Sequence, residues 1–356
     1  MTGSLGTGTY LVGFAGVLSV CVAAGCGARS AQTAFIPQWS GSSASLARGT
    51  IALSVAFAVA QVLGAIGWLR AGPVWAAEVL AGLGIGLLGR WHQRPRAWPP
   101  EGCPKRSTRS ALIESLVAVV AVGVVAAQWG GHIGFAVTHG MTHPDTLWYH
   151  MPFSARFVQD HGFPRLDGVG YPAAHWFPLN SQLLHAMAIL PFRRDVLSPY
   201  LNLAWAALAV LAAWCIGQRR DVGHVSAAAA AVVLGLPVLA ATQPGQASSD
   251  IACAALFLAA VALVLESQLR AAPLALAGAA AGLSISSKVT IAVPVLLLIV
   301  LVGVLCVLQR HVKAAGCWVA GFAATGSFWF LRNWVLAGNP LPSGRCPSGR
   351  CRCGLR

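Results

Sequence analysis

The sequence predicts an all-α, polytopic integral membrane protein with about ten transmembrane helices, a long outer loop and interfacial helices. Three observations predict it. Hydrophobic residues make up 56% of the chain and charged residues 10%, too few polar side chains to cover a soluble domain. Apolar runs of 17 to 22 residues recur, and a hydrocarbon core about 30 Å thick takes roughly 20 such residues to cross as a helix. No stretch alternates apolar and polar side chains as the strands of a membrane barrel do. Backbone groups in lipid must be satisfied within the segment, so the runs are helices.

The expected spans are 8–26, 48–69, 72–89, 111–128, 198–217, 224–241, 250–266, 272–287, 289–308 and 315–331. The first lacks a basic leading region, so it is read as a span and not as a cleaved signal. The first three form an N-terminal module, 1–110, of no evident role. Residues 111–334 form a membrane core with an outer loop at 129–177, and 335–356 form an irregular basic, Cys-containing tail. Ala and Gly are frequent in several spans, which lets helices approach closely. Cys21, Cys26, Cys215, Cys253, Cys306 and Cys317 lie in or near apolar runs, where cysteine is a small hydrophobe. Cys346, Cys351 and Cys353 crowd the tail without a partner His or second pair, a weak metal signal.

A net charge of +14 could suggest nucleic acid. The basic residues fall between apolar runs, however, as the positive-inside rule requires. The cluster Arg90, Arg94, Arg96, Lys105, Arg106 and Arg109 has no aromatic interleaving and joins two spans. It is read as a cytoplasmic loop, and no nucleic-acid partner is expected. The span 111–128 then leaves the cytoplasm, and the loop after it is external.

That loop concentrates the polar chemistry. Residues 128–176 hold three acids and six of the ten histidines. His139 and His143 are four apart, a spacing two metal ligands on one helix face could use, but Gly140 and Pro144 argue against a helix there. No zinc site is expected. The next segment, PLNSQLLHAMAILPF at 178–192, decides the topology. It has 15 residues and carries Asn180, Gln182 and His185, which suits an interfacial or re-entrant helix better than a span. If it does not cross, thirteen Lys/Arg lie inside and seven outside, the four in the tail left out; if it crosses, twelve and eight. The non-crossing reading puts Asp145, Asp250, Lys288, Arg332 and Asn333 at outer helix ends or in outer loops. Ionisable residues beside spans are costly and are functional candidates.

An ordered series of segments carries a resemblance. It comprises WYHMPFSARFVQDHGFP, YPAAHWFPLNSQLLHA, SPYLNLAWAAL, ATQPGQASSD, GLSISSK and FWFLRNWVLAGNPLP, spread over 111–342. The series resembles the GT-C superfamily of polytopic glycosyltransferases, among them protein O-mannosyltransferases and bacterial enzymes that glycosylate lipid A. The resemblance implies transfer of a sugar from a polyprenyl-phosphate donor to an envelope glycan, lipid or protein acceptor, at the outer face of the plasma membrane. It implies that Asp145, in the first outer loop, is the leading catalytic acid and that Asp250, at the outer start of a later span, supports it. The family often pairs its loop acid with a second; here His143, Pro144 and Thr146 surround Asp145. Lys288 and Arg332 match basic positions that face the donor phosphate, and Tyr149 and His150 are assigned to substrate. The residue types suit the chemistry: a carboxylate takes the acceptor's proton, and a cation stabilises the leaving phosphate. A divalent cation at Asp250 stays open; no other cofactor is implied.

Each residue also has a plainer reading. Asp145 follows Thr142 and Pro144, a turn-like composition. Asp250 after two serines suits a helix start. Lys288 suits a snorkelling cation, and Arg332 an interfacial anchor between Trp329 and Trp334. A transporter or lipid flippase is the rival function. It requires charge near the middle of spans, where only Glu78 and Glu114 qualify. The tail SGRCPSGRCRCGLR is unlike the rest. Family members usually continue with further spans, so an incomplete or degenerate, non-catalytic member is also an expectation.

Overall fold

The computed structural model describes residues 6–92, 108–164 and 172–342. Arg94, Arg96, Lys105, Arg106 and the tail from 343 lie outside them, so the expectations placed on these residues are not addressed. The described residues form helices and connecting turns, with no strand among them. The helices are α1 (Thr7–Phe35), α2 (Gly41–Ala65), α3 (Ala71–Trp91), α4 (Thr108–His139), α5 (Met151–Gln159), α6 (Asn180–Ile189), α7 (Ser198–Gln218) and α8 (Gly223–Leu234). They continue with α9 (Pro237–Thr242), α10 (Asp250–Ser267), α11 (Ala271–Ser287), α12 (Ala292–Leu308), α13 (Val312–Gly326) and α14 (Phe328–Ala337). Seven are long and apolar enough to cross a membrane, or eight if the bent pair α13–α14 counts as one span. The protein is therefore an all-α chain with the makings of a multi-pass membrane protein.

Several boundaries differ from the hydropathy reading for identifiable reasons. α4 does not stop at 128 but runs to His139, because nothing breaks the helix before Gly140, whose φ is +89°. The outer loop therefore starts at 140 and not at 129. The expected span 224–241 is divided at Gly235–Leu236 into α8, of 12 residues, and α9. Pro237 lacks an N–H and pushes Leu236 out of helical geometry. The expected span 315–331 bends by 58° between α13 and α14. There the Ser286 hydroxyl, from α11, donates to the carbonyls of Thr325 and Gly326 at 3.0 and 3.1 Å. A side chain inserted into the carbonyl ladder is a recognised cause of a kink.

Small residues set the helix spacing. α11 and α13 pack through Gly278, Gly282, Gly321 and Gly326; a Cβ on Gly321 would lie 1.9 Å from the Ala275 carbonyl oxygen. α1 and α3 run side by side through Gly27 and Gly82, and Ser30 donates to the Gly86 carbonyl at 2.9 Å. α2 joins the N-terminal helices to the rest: Leu46 and Ala47 share a core with Ala212, Ala259 and Leu263.

Segment 178–192 does not cross the bundle. α6 has ten residues, and its Asn180, Gln182 and His185 are buried. Both its ends lie at one end of the bundle. Asn180 Oδ1 accepts from Gln61 Nε2, near the end of α2, at 2.9 Å. Pro191 and Phe192 approach Gly13, near the start of α1. The helix, expected to be interfacial or re-entrant, is covered by protein. The helices on either side therefore alternate so that the ends of α2, α4 and α11 and the starts of α7, α10 and α12 gather at one end. The opposite end is tied by Ser42 to Gln218, and by Ser115 to His224 at 2.7 Å.

The glycine seam yields a test. Gly321→Ala should lower stability by about 1–3 kcal/mol, the usual range for overpacking. Gly316→Ala, on the same helix with nothing within 4 Å of its Cβ position, should be neutral or better. Thermal unfolding in detergent measures both; equal midpoints would contradict the α11–α13 packing.

Candidate functional site

The site is built where α10 starts and α11 ends. Antiparallel packing brings Asp250, the first residue of α10, against Lys288, just past α11. Lys288 Nζ lies 2.5 Å from Asp250 Oδ1. Lys288 has extended backbone, φ −159° and ψ 132°, which carries its side chain off the helix. Ser284 Oγ donates to the Cys253 carbonyl at 2.8 Å and fastens the two helices one turn further in. Asp250 lies in the first turn, where a carboxylate is favoured by the helix dipole. The expected capping role is not made, since Ser249 is the cap residue and no side-chain cap bond forms. The Asp250 side chain is 51% exposed. Exposed ion pairs contribute little to stability, about 0–1 kcal/mol. The pair therefore sets out two charges at the protein surface more than it holds the fold together.

The loop bearing Asp145 is docked onto the same place. Gln246 Oε1 accepts from the backbone N–H groups of Thr142 and His143 at 3.1 and 3.0 Å. The Ala247 N–H donates to Thr146 Oγ1 at 3.1 Å. Asp145 thus adjoins a residue bonded to Ala247, three positions before Asp250. Asn202, buried in α7, holds the receiving loop: its Nδ2 donates to the carbonyls of Gln243, Gln246 and Ser248 at 2.8, 3.0 and 3.1 Å. Asp145 is half-buried, and its carboxylate has no hydrogen bond or ion pair among the described residues. Pro144 and Asp145 open a helical segment that passes through a π turn, Thr146–His150, into α5.

Beneath this surface lie histidines. His150 is 2% exposed and its Nδ1 is 2.8 Å from Gln182 Nε2. The Gln182 side-chain amide and the His150 ring are thus hydrogen-bonded to each other. Burial pushes the His150 pKa down to about 3, reinforced by His185, Lys288 and His143. Burial alone pushes His185 down to about 4. Tyr149 packs on His150 and Phe153, with ring centroids 4.1 and 6.2 Å away. His150 therefore backs the site from inside and does not line its surface. His139 stacks on Phe135 at the end of α4, which stops before His143. No group of three or more His, Cys, Asp or Glu side chains is arranged to hold a metal among the described residues.

Arg332, on α14, faces elsewhere. Its partners are the carbonyls of His175 and Pro164 and the Asn333 side chain, and its guanidinium sits 5.7 Å from the Trp329 ring centroid. Asn333 Nδ2 donates to the Trp176 carbonyl at 2.7 Å, and Trp329 Nε1 to Asn180 Oδ1 at 2.7 Å. The structure thus pairs Asp250 with Lys288 and docks the segment carrying Asp145 and His150 on residues 246–247, just ahead of Asp250, while Arg332 contacts the far side of the loop. Sequence reasoning did not single out Asn202, Gln246 or Gln182 for these roles. Asn202 was findable as a lone amide within an apolar span. No family model, curated protein or solved structure matches this chain.

The buried histidines set a pH dependence. Above pH 6.5 both are neutral, folded or unfolded, and contribute nothing. Below it the unfolded chain takes up protons that the folded chain refuses, so stability falls as the pH drops from about 6.5 towards 4. Each histidine adds a slope of up to about 1.4 kcal/mol per pH unit. His150→Gln should flatten the dependence by one proton's worth in detergent unfolding across that range; an unchanged slope would contradict a neutral buried His150.

Proposed function

We propose that the chain is a membrane glycosyltransferase of the GT-C type, acting at the outer face of the plasma membrane on a polyprenyl-phosphate-linked sugar. In this reading α8–α9 and α11 cross the membrane with the longer helices, giving ten crossings. The observation that supports it is the docking of loop 142–146, which carries Asp145, on residues 246–247, the segment that leads into Asp250 and its partner Lys288. The reading joins a carboxylate without a partner among the described residues to a held cation at the same end of a bundle of apolar helices.

The chemistry follows from those types. The Asp145 carboxylate takes the proton of an acceptor hydroxyl or amine as that atom bonds to the anomeric carbon. The bond from that carbon to the phosphate oxygen breaks, and its electron pair leaves with the polyprenyl phosphate. The Lys288 ammonium stabilises that anion, and Asp250 holds Lys288 in place. His150, neutral and bonded to Gln182, supports the floor without adding a positive charge that would compete for the phosphate. The polyprenyl tail stays in the bilayer while the sugar is presented to the acceptor at the surface.

A second reading, a transporter or lipid flippase, draws on Glu78. Within α3 it is 1% exposed, and neither carboxylate oxygen has a hydrogen-bond partner among the described residues. Intramembrane acids of this kind mark transport pathways.

Membranes carrying the protein should transfer labelled sugar from a polyprenyl-phosphate donor. Asp145→Asn should reduce the rate at least about 100-fold, the usual contribution of a general base, and Lys288→Gln should also reduce it. An Asp145→Asn protein as active as the wild type removes the proposed role. Movement of a lipid across the bilayer that needs Glu78, with no sugar transfer, favours the second reading.

A further inference from the structure

We propose a second ligand site, independent of the reading above: the crevice at Arg332 binds the phosphate of an anionic phospholipid, with an acyl chain along its apolar wall. The crevice has a volume of about 320 Å3 and opens between the end of α2 and α14. Phe163, Phe328, Leu331, Val335 and Leu336 line it, and Arg332 is its charged group. None of Asp145, Asp250 and Lys288 lines it.

The guanidinium is poorly matched by the protein. Its bonds to His175, Asn333 and Pro164 are 3.5, 3.2 and 3.4 Å long, beyond the common N–H···O distance of about 2.9–3.0 Å. All three acceptors are neutral. Its Nε is buried and has no hydrogen-bond partner among the described residues. No carboxylate lies within ion-pair distance of it among the described residues. A partly buried cation with weak neutral partners and a spare donor is incomplete without an anion. A guanidinium offers paired donors that match a phosphate diester.

The surroundings choose a lipid over a soluble phosphate. α14 leaves α13 at a bend of 58° and turns an apolar face outward: Leu331, Trp334 and Val335 are 54, 61 and 84% exposed. Ile66 and Trp68, just past α2, are exposed as well. Aromatic and aliphatic side chains at helix ends mark the level of lipid headgroups. The crevice thus sits where a headgroup phosphate and the first carbons of its chain lie together. The occupant is a bilayer phospholipid with net negative charge.

The test is thermal unfolding of the detergent-purified full chain with added phosphatidylglycerol, phosphatidylcholine or inorganic phosphate. Phosphatidylglycerol should raise the wild-type midpoint by about 2–4 °C, and the other two should not. The shift should vanish in Arg332→Gln and fall in Val335→Trp. The latter fills the crevice mouth without touching the guanidinium's contacts, so it decides the matter if Arg332→Gln does not fold. Lys288→Gln should keep the shift, so failure of the proposed transferase leaves this site untouched. An equal shift in Val335→Trp, an equal shift with phosphatidylcholine or inorganic phosphate, or loss of the shift in Lys288→Gln would overturn the proposal.

Discussion

Three backbone carbonyls, of Gln243, Gln246 and Ser248, converge on the side-chain amide of Asn202. Everything at this end of the bundle depends on that arrangement. The segment between α9 and α10 is irregular, largely buried backbone among apolar helices. Its polar groups find no helix ladder to join, and each one left without a partner costs about 1–3 kcal/mol. Irregular backbone at membrane depth is tolerated only where protein satisfies it. Asn202 does so from within an apolar helix, and the fixed loop then offers Gln246 and Ala247 to the segment carrying Asp145. Removing the Asn202 amide would free the receiving loop, and with it the spacing between the two acids.

A second layer of amides does the same for α6. Asn180 accepts from α2 and from Trp329, and Gln182 holds His150. These contacts explain why a helix too short to cross can lie buried with polar side chains. They also link the two sides of the site end. Segment 140–160 also meets α14 directly, where Phe157 stacks on Trp329 with ring centroids 6.2 Å apart, and α6 bonds to both. The charges above this layer divide by environment. Lys288 is matched by Asp250 at the protein surface. Arg332 is held by neutral groups and faces an apolar crevice.

The helical membrane class was legible from hydropathy alone, since chain composition decides it. The polar marks at Asn180, Gln182 and His185 identified the short helix at 178–192, whereas the basic-residue count divided too evenly to choose. Hydropathy misplaced the end of α4, because Gly130, Gly131 and His132 lower the apolar average without breaking a helix. The break at Pro237 is written in the sequence, but the apolar residues on either side hide it in a hydropathy average. The bend between α13 and α14 was not legible, because it depends on Ser286, some forty positions away. In the site, the acids and Lys288 stood out as rare charges at span ends. Gln246 and Asn202 did not announce their roles, because what matters is which backbone groups they meet.

If α6 does not cross the membrane, Asp145, Asp250 and Lys288 share one side of it. Labelling with a membrane-impermeant thiol reagent tests it directly, using single cysteines in a background without the native ones. Thr142→Cys precedes α6, Asp195→Cys follows it, and Gln268→Cys lies at the far end of α10. All three positions are at the ends of helices or in connecting segments. In intact cells, Thr142→Cys and Asp195→Cys should label alike, and Gln268→Cys should label only after the membrane is opened. If Thr142→Cys and Asp195→Cys label from opposite sides, α6 crosses the membrane and the shared site does not exist.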